Sequence, residues 1–392
     1  MIPLNDIYQH NLNFIFGSGA SFGLFPTLWL PISDSDSPEK KETFETLVTK
    51  IEAQGKKSHE VLMFMYYYRE IIEPVLKFDI GSIDLSHSCE GHDSANCSIQ
   101  RNSIVIKNYK IFIESLILVL NQKSKFSKRC NIFTTNYDGC FPFAADALFQ
   151  ERSLDFIIND GSRGFIKRIL SARNFNSYTC QTGIFGTNAT DVPQINLINL
   201  HGSVYWKNLC ENIQVQYNPE IDGNIIPERI IQKLDEFTEI LKNESKSTTD
   251  ILNFDVEIPQ ADIDVFWSAY KTLPIVNPTK WKFHETVFEE HYYQMLRMLS
   301  YELERPNSIL ISFGFSFADE HILNLIKRSL SNPRLQVYVC CFNKDEYQAM
   351  EQKFGYFKNV NLIALDNAVL DFTAFNKEIF NAECLKGEFY EH

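Results

Sequence analysis

What the sequence lacks narrows it first. No stretch approaches the roughly 20 consecutive apolar residues that a bilayer-spanning helix needs, so a membrane protein of the helical kind is not expected. Residues Met1 to His10 hold no basic opening segment, and the apolar run Phe14–Phe16 behind them is short, so a secretory signal is not expected either. Positive charge is in deficit: 37 Lys and Arg face 50 Asp and Glu, a formal net charge of −13. Phosphate backbones are held by basic surfaces, which argues against direct nucleic-acid binding. The nine cysteines have no regular spacing, and this suits a reduced, cytoplasmic compartment better than a disulfide framework. Internal repeats and coiled-coil heptads are absent.

What is present is an ordinary globular composition, 44% hydrophobic and 22% charged, with an unusual aromatic load of 32 Phe and 17 Tyr. Those rings imply a large core and surfaces suited to protein contacts. At 392 residues the chain is read as one large α/β domain over 1–392, with insertions near 79–108, 151–193 and 243–264. The last third is the most regular. Strands are expected at Ser308–Phe313, Leu335–Phe342 and Val360–Leu365, alternating with helices at Asp319–Leu330, Asp345–Phe354 and Phe372–Phe380. Short connections between alternating strands and helices imply a doubly wound, Rossmann-like parallel sheet. Further strands are expected at Cys130–Thr135 and Ile195–Leu200, and helices near Glu60–Leu76, Tyr109–Asn121, Phe141–Phe149, Pro227–Lys242 and Glu285–Leu303. The region from Glu151 to Pro193 reads as an irregular connection, and Asn243 to Asp264 as an exposed polar loop.

Four short stretches carry the chemistry. Asn13–Phe16 runs into Gly17-Ser18-Gly19-Ala20-Ser21, a strand followed by a glycine-rich turn where backbone N–H groups can approach a pyrophosphate. The others are Thr134-Thr135-Asn136-Tyr137-Asp138, His201-Gly202-Ser203 and Gly314-Phe315-Ser316. Each follows an apolar run, at the carboxyl end where open α/β sheets build ligand sites. Taken singly, each also has a structural reading. The first could be an ordinary tight turn, Asn136 or Asp138 a helix N-cap, and His201 a satisfied core histidine.

In order, the four stretches resemble the sirtuin superfamily, and the details Phe-Thr-Thr-Asn-Tyr-Asp and Gly-Phe-Ser-Phe-Ala-Asp-Glu-His resemble its NAD-hydrolysing members in bacterial antiphage defence. That resemblance implies NAD as substrate, with Gly17, Gly19, Ala20 and Ser21 at its pyrophosphate. It places Asn136 beside the nicotinamide ribose, Asp138 at the nicotinamide end and His201 as catalytic base. Gly314 and Ser316 match a later phosphate contact, and Asn343 matches the position that holds the adenosine ribose. It also implies a chain that works with a HerA-type ATPase, while the aromatic load and the long insertions lead to the expectation of a homo-oligomer. The residue types suit the chemistry. Nicotinamide leaves as a neutral pyridine, so what is needed is a positioned water and a base, and imidazole titrates near neutrality.

The departures matter as much. Protein-deacylating sirtuins hold a structural zinc with two Cys-x-x-Cys pairs, whereas between His201 and Gly314 this chain has only Cys210. No metal is therefore expected. His87, Cys89, His92 and Cys97 could offer zinc ligands, but their spacing matches no zinc family and the stretch reads as a loop. Two rival classes stay open: an NAD-dependent deacylase or ADP-ribosyltransferase, and a module that senses NAD or ADP-ribose without turnover.

Overall fold

A computed structural model describes residues 8–37, 39–79, 97–123, 127–151, 154–182, 186, 189–209, 212–218, 225–277 and 290–381. The zinc-ligand candidates His87, Cys89 and His92, the side chain of Cys97 and Cys210 lie outside the described residues. The chain divides into two compact units. One comprises Met1–Leu24, Asp79–His201 and Glu290–His392; the other comprises Phe25–Phe78 and Gly202–Glu289.

The first unit is built on a seven-stranded sheet, parallel throughout. In chain order its strands are β1 (Asn11–Phe16), β2 (Arg129–Thr134), β3 (Ile157–Asn159), β4 (Gln194–Asn199), β5 (Ser308–Phe313), β6 (Gln336–Cys340) and β7 (Val360–Ile363). Their spatial order is β7-β6-β5-β1-β2-β4-β3. The chain first builds outward from β1 through β2, then returns to lay β5 on the other side. The order therefore reverses beside β1. The strand sequences are near-continuous apolar runs because parallel strands are covered on both faces; β1, β2, β4 and β5 are buried almost throughout.

Among the described residues the longer helices that accompany these strands are α1 (Cys97–Asn121), α2 (Cys140–Glu151), α3 (Glu290–Glu304), α4 (Glu320–Ser329) and α5 (Lys344–Phe354), and short helical turns follow at Phe372–Ala374 and Phe375–Ile379. The aromatic load identified in the sequence is largely spent here. Phe14 and Phe16 of β1 meet Phe112 of α1 edge-on at 5.2 and 5.1 Å, Phe16 meets Phe141 of α2 at 5.1 Å, and Phe313 meets Phe375 in a tilted pair at 4.6 Å. Such pairs add roughly 0.5–1.5 kcal/mol beyond the area they bury. The central strand is thus held by rings.

The interior of the sheet is not wholly apolar. Asn13, Asn131, Asn196 and Asn159 occupy matching register positions on β1, β2, β4 and β3. The Asn131 amide donates to Asn13 at 2.8 Å, Asn196 donates to Asn131 at 2.9 Å, and Asn159 donates to Asn196 at 3.1 Å. The ends of this ladder close on backbone: Asn13 donates to the carbonyls of Asn11 and Ile309, and Asn159 accepts from the Gly161 N–H. A one-residue slip of any strand would bury amides without partners, so the ladder fixes register.

Two expectations are corrected. The stretch from 151 to 193 supplies the edge strand β3 and the antiparallel pairs Ser162–Arg163 with Arg168–Leu170 and Cys180–Thr182 with Ala189–Asp191. Only short pieces form, which is why no periodicity announced them. The stretch from 243 to 264 is not an open loop: it holds the helix Thr248–Leu252 and the start of Gln260–Tyr270. Ser247 and Asp250 make a capping box, and Ile251 is fully buried.

The second unit is mainly helical, with Phe44–Ala53, Lys57–Tyr67, Ile231–Leu241 and Gln260–Tyr270 as its main helices. Lys57–Tyr67 is apolar nearly all round, and its Phe64, Tyr66 and Tyr67 are buried. Pro74 sits in the short helical turn Glu73–Leu76 that ends this run. Among the described residues no helix is long and apolar enough to cross a membrane.

Candidate active site

Register brings the four motif stretches together. Phe16 lies level with Thr134 and with Phe313, and Thr134 lies level with Asn199. Beyond that line the ladder continues for one bond each: Gly17 N–H to the Phe313 carbonyl, Thr135 N–H to Phe16, and Leu200 N–H to Thr134. The glycine turn, the Thr-x-Asn-x-Asp stretch, His201 and Gly314 therefore leave the sheet side by side at its carboxyl edge.

The glycines there are required by one another. Gly314 lies at φ +61, and a Cβ on it would meet the Ala20 nitrogen at 2.5 Å. A Cβ on Gly17 would meet the Gly314 oxygen at 2.4 Å, and one on Gly19 would meet the Gly314 Cα at 2.8 Å. Two chain turns thus cross backbone against backbone, which only Gly permits. The N–H groups of Gly17, Gly19 and Ala20 donate to Phe313, Gly314 and Gly17 carbonyls. Close backbone packing accounts for this glycine pattern by itself, where the sequence suggested N–H groups reserved for a pyrophosphate.

Behind the turn lies a buried polar cluster. The Ser21 hydroxyl donates to Asp138 at 2.6 Å, accepts from the Asn136 amide at 3.2 Å, and lies 2.8 Å from the Tyr109 hydroxyl. Asp138 also accepts from the Cys140 N–H at 3.0 Å, capping the start of α2. Burial pushes the Asp138 carboxyl above its ordinary range, while bonds from Ser21, Cys140 and Asn136 pull the other way. Burial likewise pushes the Tyr109 phenol and the Cys140 thiol well up, so both stay protonated at neutral pH. Asn136 Oδ1, buried in a residue 8% exposed, has no hydrogen-bond partner among the described residues. A buried acceptor left open carries a desolvation penalty of about 1–3 kcal/mol. Its backbone N–H is tied to Thr134 Oγ1 at 3.0 Å, so the residue is held in place.

His201 follows β4 and is buried. Its Nε2 lies 2.9 Å from Asp319 Oδ2. Asp319 is also the N-cap of α4, where its Oδ1 accepts from the N–H groups of His321 and Ile322 at 3.0 and 3.2 Å. One carboxylate oxygen is fixed by the helix and the other by the imidazole. With Nε2–H donating to Asp319, Nδ1 is the nitrogen able to take a proton.

The sequence reading gave Asp319 no role. Its signal was faint: an Asp just ahead of a helix reads as a cap, and it is one. Lys353 was missed too. From α5 its ammonium donates to the carbonyls of Ser316 at 3.1 Å and Phe317 at 3.0 Å, clamping the loop after β5. That loop is strained, since Phe317 has φ +53 while buried against Phe315 and Phe354.

Two expected site residues stand apart from the cluster. Ser316 is exposed, and its hydroxyl lies 3.4 Å from the Ala318 N–H. Asn343 caps α5, accepting from the Glu346 N–H at 2.9 Å. Both lie beyond carboxyl ends of sheet strands, after β5 and β6. Among the described residues no group of three or more His, Cys, Asp and Glu side chains is placed to hold a metal ion. In sequence, no family model matches this chain and no curated protein matches it.

Proposed function

We propose that the chain is an NAD⁺ glycohydrolase acting at the carboxyl edge of its sheet. The observation that carries this reading is the open acceptor of Asn136, buried and held, just past the end of β2, the strand between those that lead to Ser21 and His201. An orphaned amide oxygen in a preorganised cluster suits a donor brought by a ligand, a ribose hydroxyl or the attacking water. The glycosidic bond to nicotinamide breaks without an acid, because the leaving group is neutral.

What the chain supplies is position and a proton acceptor. Asn136 orients the water through Oδ1, and Ser21 and Thr134 hold Asn136. His201 takes the water's proton at Nδ1, and Asp319 keeps the ring oriented and stabilises the imidazolium that forms. Asp138 holds Ser21 and the start of α2, close to where positive charge develops. The products are nicotinamide and ADP-ribose. Gly17, Gly19, Ala20, Ser21, Gly314, Ser316 and Asn343 border the strand ends over which the dinucleotide would lie. An NAD-depleting enzyme needs restraint, so control through self-association and a HerA-type ATPase, in a cytoplasmic role in antiphage defence, belongs to the same proposal.

The test is direct. Purified protein, alone and with a co-expressed HerA-type ATPase, is incubated with NAD⁺ and free nicotinamide is measured. Release that needs no acetylated peptide, and falls at least about 100-fold in Asn136→Ala and in His201→Ala, is expected. Tight NAD⁺ binding with no release in either preparation would replace the enzyme with a sensor. Release that depends on the peptide would make it a deacylase.

A further inference from the structure

A cleft of about 490 Å³ lies at the amino edge of the sheet, the edge opposite His201. Asn11 and Arg129, the first residues of β1 and β2, line it, together with Asp191 ahead of β4 and Tyr301, Glu302 and Arg305 from the end of α3. The length of β2 separates it from Asn136, about 20 Å at roughly 3.3 Å per residue. Its volume is in the range of small-molecule sites, about 300–1,000 Å³. Leu12 is the one apolar residue of its lining. A wall of that kind suits a molecule rich in hydrogen-bonding groups and rejects an apolar one.

The acids of the cleft already have partners. Buried Glu302 accepts from Arg305 at 2.8 Å, and buried Asp191 accepts from the Ser127 N–H at 2.7 Å and the Cys180 thiol at 3.1 Å. Arg129 is different: it is half-buried, and its guanidinium has no hydrogen bond or ion pair among the described residues. Two further cations stand near it. Burial pushes the Lys123 ammonium down, and the charges of Arg305 and Arg129 push the same way. The fold therefore leaves an Arg fork unused among like charges, on a chain whose total is −13. An oxyanion fits that fork in two parallel hydrogen bonds and offsets the repulsion. Tyr178 and Tyr301 line the same cleft and are 63% and 64% exposed, so their rings are open to a flat partner.

We propose that this cleft is a binding site for a mononucleotide. The phosphate takes the Arg129 fork and reaches Arg305, which spends one of its five N–H donors on Glu302. A carboxylate has two oxygens and is used up by one fork, whereas a phosphate monoester has three and can serve both guanidinium groups. Asp191 keeps lone pairs for sugar hydroxyls, and the tyrosine rings take the base. The site holds whatever reaction takes place at the opposite edge of the sheet.

Calorimetric titration of the full chain with AMP tests it. The wild type is expected to bind AMP saturably, and adenosine, which lacks the phosphate, at least about tenfold more weakly. Arg129→Gln should weaken AMP by at least about tenfold, and Tyr178→Ala by at least about fivefold. Without ligand, Arg129→Gln should melt at or above the wild-type temperature, because it removes a cation beside Lys123 and breaks no bond of the fold. Tyr178→Ala removes an exposed ring and should melt as the wild type does, so a loss of AMP binding in either variant is a loss of the site. AMP that binds Arg129→Gln as tightly as the wild type sits elsewhere, at the carboxyl edge for instance, and would overturn the proposal. So would a wild type that takes up no AMP in the millimolar range. Benzoate that binds as tightly as AMP and displaces it would make the ligand a carboxylate and overturn the assignment to a nucleotide.

Discussion

The asparagine ladder in the middle of the sheet and the polar cluster at its carboxyl edge use the same strands and overlapping residue types, yet they close differently. In the ladder every amide finds a partner, from Asn13 through Asn131 and Asn196 to Asn159. At the edge, Asn136 keeps its amide hydrogen bonded to Ser21 but leaves Oδ1 open. A buried polar group that serves the fold is satisfied within the fold. Asn136 leaves the same carboxyl edge of the sheet as His201, and its open, held acceptor is the feature on which the proposed function rests. Under the proposed function, the contrast is between asparagines that hold the sheet and one that meets substrate.

The strongest way to break that contrast is to remove each kind of asparagine in turn. Asn136→Ala should lower nicotinamide release from NAD⁺ by about 10²–10⁴-fold, with a melting temperature close to wild type. Asn131→Ala should do the reverse. It strands Asn13 Oδ1 and one of the two Asn196 amide hydrogens, the other keeping the Phe175 carbonyl, and should destabilise the chain by about 2–4 kcal/mol in urea unfolding. Its activity should persist wherever it remains folded. If Asn136→Ala were the destabilised one and still active, the assignment of roles would be inverted.

A third polar group sharpens the comparison from the opposite end of the strands. Lys123 is buried, and its ammonium donates to the His10 carbonyl at 2.8 Å, with no ion pair to a carboxylate among the described residues. Burial pushes it down to about 8. Between about pH 8 and the ordinary lysine range the unfolded chain binds more protons than the folded one. Stability due to this residue should therefore rise with pH across that window, by no more than about 3 kcal/mol. Lys123→Met should flatten the rise, seen as the difference between variant and wild-type unfolding free energies at pH 7.5 and 10.

The smallest expected effect is at Asp319. Asp319→Asn keeps an oxygen for the helix cap but removes the charge beside His201, and kcat should fall about tenfold while KM stays near wild type. A drop in KM-limited binding with unchanged kcat would place Asp319 in substrate recognition.

Much of this was legible in the chain itself. Apolar runs ending at Gly17, Thr135, His201 and Gly314 announced buried parallel strands, because such strands are covered on both faces and their chemistry can only emerge at their ends. Three features were not legible. The strand Ile157–Asn159 is too short to show a period. The ladder is carried by asparagines, which β-propensity disfavours in strands, and its meaning depends on register. The pair His201–Asp319 joins residues far apart in sequence, one of which already has a local role as a cap.

The sequence by itself determined which segments are buried, where the sheet's strands stop and which side chains stand at those stops, since apolar periodicity and glycine are local properties. Tertiary structure alone decided that Gly314 packs onto Gly17 and Gly19, that Asp319 reaches His201, and that Asn136 has an open acceptor while Asn131 has none. Hydrogen-bond satisfaction belongs to atoms that meet across the fold, and no single stretch of chain contains both partners.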